Sequence, residues 1–185
     1  SLRLKITLAC GLGLIAVAAF APLALAPLMV ASLAGLYALL RGAVSVRQAA
    51  LMGLGWGLGC FLGGVSWVYV SMHDVGGMAL PLAGVATMAF CGVLALFPAL
   101  AMALFQRWVR GLGWGPEAAG FAALWTLGEL ARGTLFTGFP WLAVGYTQTP
   151  PSPLAGYAPV LGVYGLSFLT ALLAALAVHM VTPAQ

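Results

Sequence analysis

Charge is what this chain has least of. It carries seven Lys or Arg and three Asp or Glu in 185 residues, 5% of the total, against roughly 25% in ordinary soluble domains. Hydrophobic residues make up 63%, which excludes a globular domain with a water-facing surface. Short segments of alternating polar and apolar residues are also missing, which excludes a transmembrane β-barrel. The basic residues form no cluster, so the net charge of +4 gives no nucleic-acid reading. Cysteine is scarce and odd in number: Cys10, Cys60 and Cys91 lie far apart inside apolar runs, with no metal-ligand spacing. A thiolate is disfavoured in hydrocarbon, so all three are expected to be structural, and no cofactor is implied.

What remains is a series of apolar runs near the roughly 20 residues that a helix needs to cross a bilayer. The fold class is therefore an all-α polytopic transmembrane helical bundle. About six spans are expected, at 6–21, 28–40, 48–70, 81–106, 117–132 and 160–181. Pro22 and Pro27 stop one helix from running through the first two, and the short second span must tilt or thin the bilayer. Pro116 followed by Glu117 is a favourable helix start. The Ala19-Phe20-Ala21 and Ala24-Leu25-Ala26 stretches imitate signal-peptide cleavage sites, but proline follows each, so a retained first helix is expected. The chain opens on Ser rather than Met, consistent with processing or trimming at its start.

The few charges report topology. Arg3, Lys5, Arg41, Arg47, Arg107 and Arg110 flank three connections or ends, whereas 71–80 holds only Asp74 and 133–159 holds no charge. The positive-inside rule places the first set and both termini in the cytoplasm and makes 71–80 and 133–159 external loops. Arg132 alone departs from it. Glycine is abundant, at 25 residues. Gly55, Gly59 and Gly63 form one stripe, with Gly53 and Gly57 beside it. Such spacing lets helices approach closely in lipid; a groove for an acyl chain is the other reading. The Gly11-x-Gly13 pattern imitates a dinucleotide fingerprint but follows no strand, and no inverted repeat of the transporter kind is visible.

Chemistry concentrates around Glu129 and Arg132. Three residues apart on a helix, they can pair on one face, and ionisable groups within membrane helices mark function by default. The loop that follows carries Phe136, Phe139, Pro140, Trp141, Tyr146 and Tyr157. Long loops of this kind are often functional, although an aromatic belt at headgroup depth is the simpler account. At that depth Arg132 suits a phospholipid phosphate, with Glu129 holding it in place. In the other external loop Ser71, His73 and Asp74 stand too close in sequence to converge as a triad. His73 and Asp74, following Trp67 and Tyr69, are expected to ring a polar approach to a cavity. His179 is expected to be a solvated helix-end residue.

The block from Glu129 and Arg132 through Gly138-Phe139-Pro140-Trp141-Leu142 to Gly145-Tyr146 and Gln148 resembles the signature of the bacterial apolipoprotein N-acyltransferase family. Phe20-Ala21-Pro22 resembles its first hairpin, Gly55-Trp56-Gly57 through Trp67 to Gly77 its third helix and following loop, and Gly162 to Phe168 its sixth helix. The tryptophan usual near the first hairpin is missing.

The resemblance implies a multi-pass enzyme of the bacterial inner membrane. It would move an acyl chain from a phospholipid donor to the N-terminal diacylglyceryl-cysteine amine of a lipoprotein. It also implies a thioester mechanism with Glu, Lys and Cys on a periplasmic nitrilase-like domain, expected to lie outside this chain, so no catalytic residue is carried over. Arg132, Phe139, Pro140, Trp141 and Tyr146 match positions bordering the substrate cavity. Glu129, Trp67, Tyr69, His73 and Asp74 are grouped with them as lipid or substrate contacts. A small transporter or channel is the alternative, and a scaffold without chemistry a third. A channel needs polar residues across the midplane, and the spans hold almost none beyond Glu129.

Overall fold

In the computed structural model, which describes residues 1–182, six long helices account for most of the chain. They are α1 (Leu2–Ala16), α2 (Ala26–Arg41), α3 (Val46–Gly64), α5 (Leu80–Leu104), α6 (Trp114–Thr134) and α7 (Ala158–Val181). A short α4 (Trp67–Val70) follows α3 and runs on as a π turn, Ser71–Val75. Helix starts follow local chemistry. The Ser1 and Ser45 side chains cap α1 and α3, and proline occupies the first turns of α2, α5 and α7.

Among the described residues three segments, Leu2–Ala19, Leu80–Val109 and Pro153–Val181, are long and apolar enough to cross a membrane. A fourth qualifies if α3 and the Trp67–Val75 helix form one span bent by 49°. The run at 48–70 is therefore not one straight helix: it breaks after Gly64, where the Gly63-Gly64 pair offers little helical preference. Helix α2 has only 16 residues, and α6 carries Glu117, Glu129 and Arg132.

Neighbouring helices form a closed ring in the order α1, α2, α7, α6, α5, α3. Tyr37, Trp56, Phe105, Phe121 and Trp125 fill the interior. Trp56 meets Trp125 edge to face at 4.8 Å, and Tyr37 meets Phe121 at 5.0 Å. The Trp56 indole donates to Ser32 Oγ (2.8 Å), which donates to the Leu12 carbonyl (2.8 Å), tying three helices together. Outward on α5, Leu82, Val85, Met88, Leu96 and Leu100 are exposed, as a helix facing hydrocarbon requires.

The glycine stripes explain the closest approaches. A Cβ at Gly55, Gly59 or Gly63 would run into α1 or its C-terminal turn, at Ile6, Cys10 or Leu14, while one at Gly53 or Gly57 would run into Pro98 or Ala95 of α5. One stripe thus serves each neighbour, and α1 occupies the space that an acyl groove would need. Gly59→Ala is expected to cost about 1–3 kcal/mol by overpacking against the Cys10 backbone. Gly84→Ala, with open space around the new methyl, should be neutral or stabilising. Thermal unfolding of the purified protein checks the contrast, and equal midpoints would contradict it.

Candidate functional site

Trp125, Glu129 and Arg132 share one buried face of α6 near its C-terminal end. Glu129 Oε1 accepts from the Trp125 indole (3.0 Å) and from the backbone N–H of Val144 (2.9 Å). Arg132 Nη1 donates to the carbonyls of Phe139 (2.6 Å) and Trp141. The Phe139 N–H returns a bond to the Arg132 carbonyl at 2.8 Å. The two ionisable side chains therefore pin the loop after α6 at three points.

This corrects the expected pairing. No Glu129 oxygen lies within 4.0 Å of an Arg132 nitrogen. Each group finds partners in the returning loop instead, because that loop brings backbone donors and acceptors that need partners of their own. Arg132 is 3% exposed, with its guanidinium 5.1 Å from the centre of the Phe61 ring. At that depth its guanidinium is met by two loop carbonyls. Glu129 and Arg132 together line a cavity of about 20 Å³ beneath the loop, room for about one water. Glu129 Oε2 has no hydrogen-bond partner among the described residues.

The loop itself is tightly built. Phe136, Thr137 and Leu142 all adopt positive φ (53°, 73° and 58°), a costly conformation for side-chain-bearing residues. A Cβ at Gly138 would collide with the Gly133 carbonyl, and one at Gly145 with the Val163 carbonyl. Gly145 N–H donates to Ser167 Oγ of α7 at 2.8 Å. Ala143–Gly145, Thr147 and Gln148 are buried, whereas Trp141 and Tyr146 are half exposed.

Held in this way, the loop forms one wall of a recess of about 790 Å³, lined by Phe20, Gly64, Trp67, Pro140, Trp141 and Tyr146 among others. Trp67 and Trp141 lie 5.5 Å apart between ring centres, Phe139 and Trp141 6.2 Å, and Phe90 and Phe139 5.0 Å, giving a continuous aromatic row. Four residues singled out in the sequence thus converge: Trp67, Pro140, Trp141 and Tyr146 line the recess. Phe139 backs it, and Glu129 and Arg132 lie beneath the loop.

Tyr69, His73 and Asp74 do not line it. They follow Trp67 on the bent helix, where His73 Nδ1 is 2.8 Å from the Met78 carbonyl oxygen and Nε2 is 3.9 Å from Asp74. Ser71 precedes His73 and Asp74 in the same helical turn, so no triad forms. Sequence reasoning missed Trp125 and Ser167. Trp125 stands four residues before Glu129 and was open to the same helical-spacing argument; nothing local marked Ser167.

Arg132→Ala should leave the Phe139 and Trp141 carbonyls unpaired and destabilise the protein by about 1–3 kcal/mol. Arg132→Lys should recover only part of this, because one ammonium replaces a planar fork. Thermal melting with limited proteolysis of the 133–148 loop measures both. An unaltered loop in Arg132→Ala would rule out the clamp.

Comparison with known proteins follows the same outline. The family model described as apolipoprotein N-acyltransferase N-terminal domain matches residues 12–176. The apolipoprotein N-acyltransferase of Nitrosomonas europaea is 50% identical over 173 residues, 92% of this chain and 34% of the relative. Those of Ralstonia nicotianae and Azotobacter vinelandii are 48% and 47% identical over 95% and 94% of this chain. The chain spans about a third of the length of these curated relatives.

Proposed function

Since the chain belongs to the apolipoprotein N-acyltransferase N-terminal domain family, we propose that it forms the membrane portion of an enzyme that passes an acyl chain from phospholipid to the N-terminal diacylglyceryl-cysteine amine of a lipoprotein. On this reading the bundle sits in the bacterial inner membrane with six crossings, both termini cytoplasmic and the 133–159 loop outside. The resemblance assigns the thioester chemistry to a nitrilase-like domain. The role proposed for these residues is anchoring and substrate shaping.

The observation that carries the proposal is the aromatic-walled recess between the loop and the ends of α1 and α3. Acyl tails are already in hydrocarbon, so a recess gains little by hydrophobic transfer. Its value lies in orientation. A tail fixed against Trp67, Trp141 and Tyr146 presents its ester at the headgroup depth that Trp and Tyr favour, ready for attack from the aqueous side. Glu129 and Arg132 act as positioning residues, keeping Pro140 and Trp141 in the wall. Tyr69, His73 and Asp74 are assigned to the polar approach beside Trp67.

Trp141→Ala in the full-length enzyme should lower kcat/KM for phospholipid about five- to tenfold, the equivalent of one aromatic contact of about 1–1.4 kcal/mol. Most of the change should appear in KM. Val93→Ala, on the lipid-facing side of α5, serves as the control. Unchanged phospholipid kinetics in Trp141→Ala would reject the recess as the donor site.

A further inference from the structure

The other end of the bundle gathers the basic residues, and there the ring opens into a second recess. It occupies about 670 Å³ and is lined by Arg41, Arg110, Trp114, Glu117, His179 and Thr182, among others. The volume is that of an ordinary small-ligand site.

The one carboxylate among its described lining residues is already neutralised. Glu117 is buried and accepts from Arg110 Nη1 (2.6 Å), Gly111 N–H (2.6 Å) and Tyr37 OH (3.4 Å). Tyr37 OH is also 2.7 Å from His179 Nε2, so His179 is tied into a network rather than simply solvated. Arg110 Nη2 donates to the Arg41 carbonyl at 3.1 Å. Lys5 Nζ donates to the Gly42 carbonyl at 2.5 Å on the rim. Arg41, Arg110 and Lys5 against Glu117 leave an excess of two positive charges.

Arg41 is where this excess is available. Its Nη1 turns to Thr182, while its Nε and Nη2 make no hydrogen bond to the described residues. A guanidinium whose remaining donors meet none of the described residues suits the paired oxygens of a phosphate. Two exposed indoles, Trp108 and Trp114, lie at the same end, and indoles favour headgroup depth. Basic pockets between helices at that depth draw acidic lipid headgroups. We infer that this recess seats the phosphate of an acidic phospholipid headgroup, at the end of the bundle opposite the aromatic recess. The assignment stands independently of the acyl-transfer reading, since no acyl-chain wall and no acceptor is needed here.

The test is lipid binding to the full-length protein in neutral detergent, read by native mass spectrometry. Phosphatidylglycerol should bind at least about fivefold more tightly than phosphatidylcholine, and Arg41→Gln should remove about fivefold, the weight of one basic residue at a membrane surface. Arg41→Lys, which keeps the charge but loses the planar fork, should recover only part of the preference and controls for folding. Arg107→Gln, outside the recess, should leave it intact. Equal affinity for the two lipids, no effect of Arg41→Gln, or an equal loss in Arg107→Gln would overturn the assignment. Saturable binding of inorganic phosphate without any lipid preference would overturn the headgroup as its source.

Discussion

A loop that folds back into a bundle must find partners for its backbone, and in this chain two ionisable side chains supply them. Glu129 takes the Val144 N–H and Arg132 takes the carbonyls of Phe139 and Trp141. In a water-poor setting each unmet backbone group costs free energy, so the clamp decides whether residues 139–145 have one conformation or many. Each charge is also costly to bury alone. The loop's dipoles and the Trp125 indole surround the carboxylate, and two carbonyls with the Phe61 ring surround the guanidinium. Clamp and loop are therefore mutually dependent, which accounts for the positive φ values at Phe136, Thr137 and Leu142 being tolerated.

That loop sits on a scaffold closed by close helix contact rather than by hydrophobic contrast. Glycines on α3 bring α1 and α5 against it, and the Trp56–Ser32–Leu12 chain adds hydrogen bonds across the same region. Without those approaches the end of α3 would not lie beside Trp141, and the aromatic row would separate. Packing at one depth thus sets the geometry of the recess at another.

The two ends of the bundle differ in chemistry. One presents rings and an uncharged loop; the other presents arginines, a lysine and a single shielded carboxylate. Basic residues held at one headgroup layer fix the orientation of a helical bundle in its membrane. The basic recess makes this a localised contact instead of a diffuse attraction.

Composition and spacing alone determined a good deal here: an all-helical membrane class, the approximate helix positions, the glycine stripes as packing surfaces, and the neighbourhood of Glu129, Arg132 and Trp141 as the place to look. Each follows from local rules of length, charge and helical period, and the motif resemblance added a family that residues 12–176 match. The tertiary structure decided what those rules leave open. Helices apolar on every side carry no directional signal, so the ring order was not legible. The break after Gly64 depended on packing against neighbours. Helical spacing placed Glu129 beside Arg132, yet their partners lie 7 to 15 residues further along a loop. Only the path of that loop could show that the two groups hold backbone rather than each other.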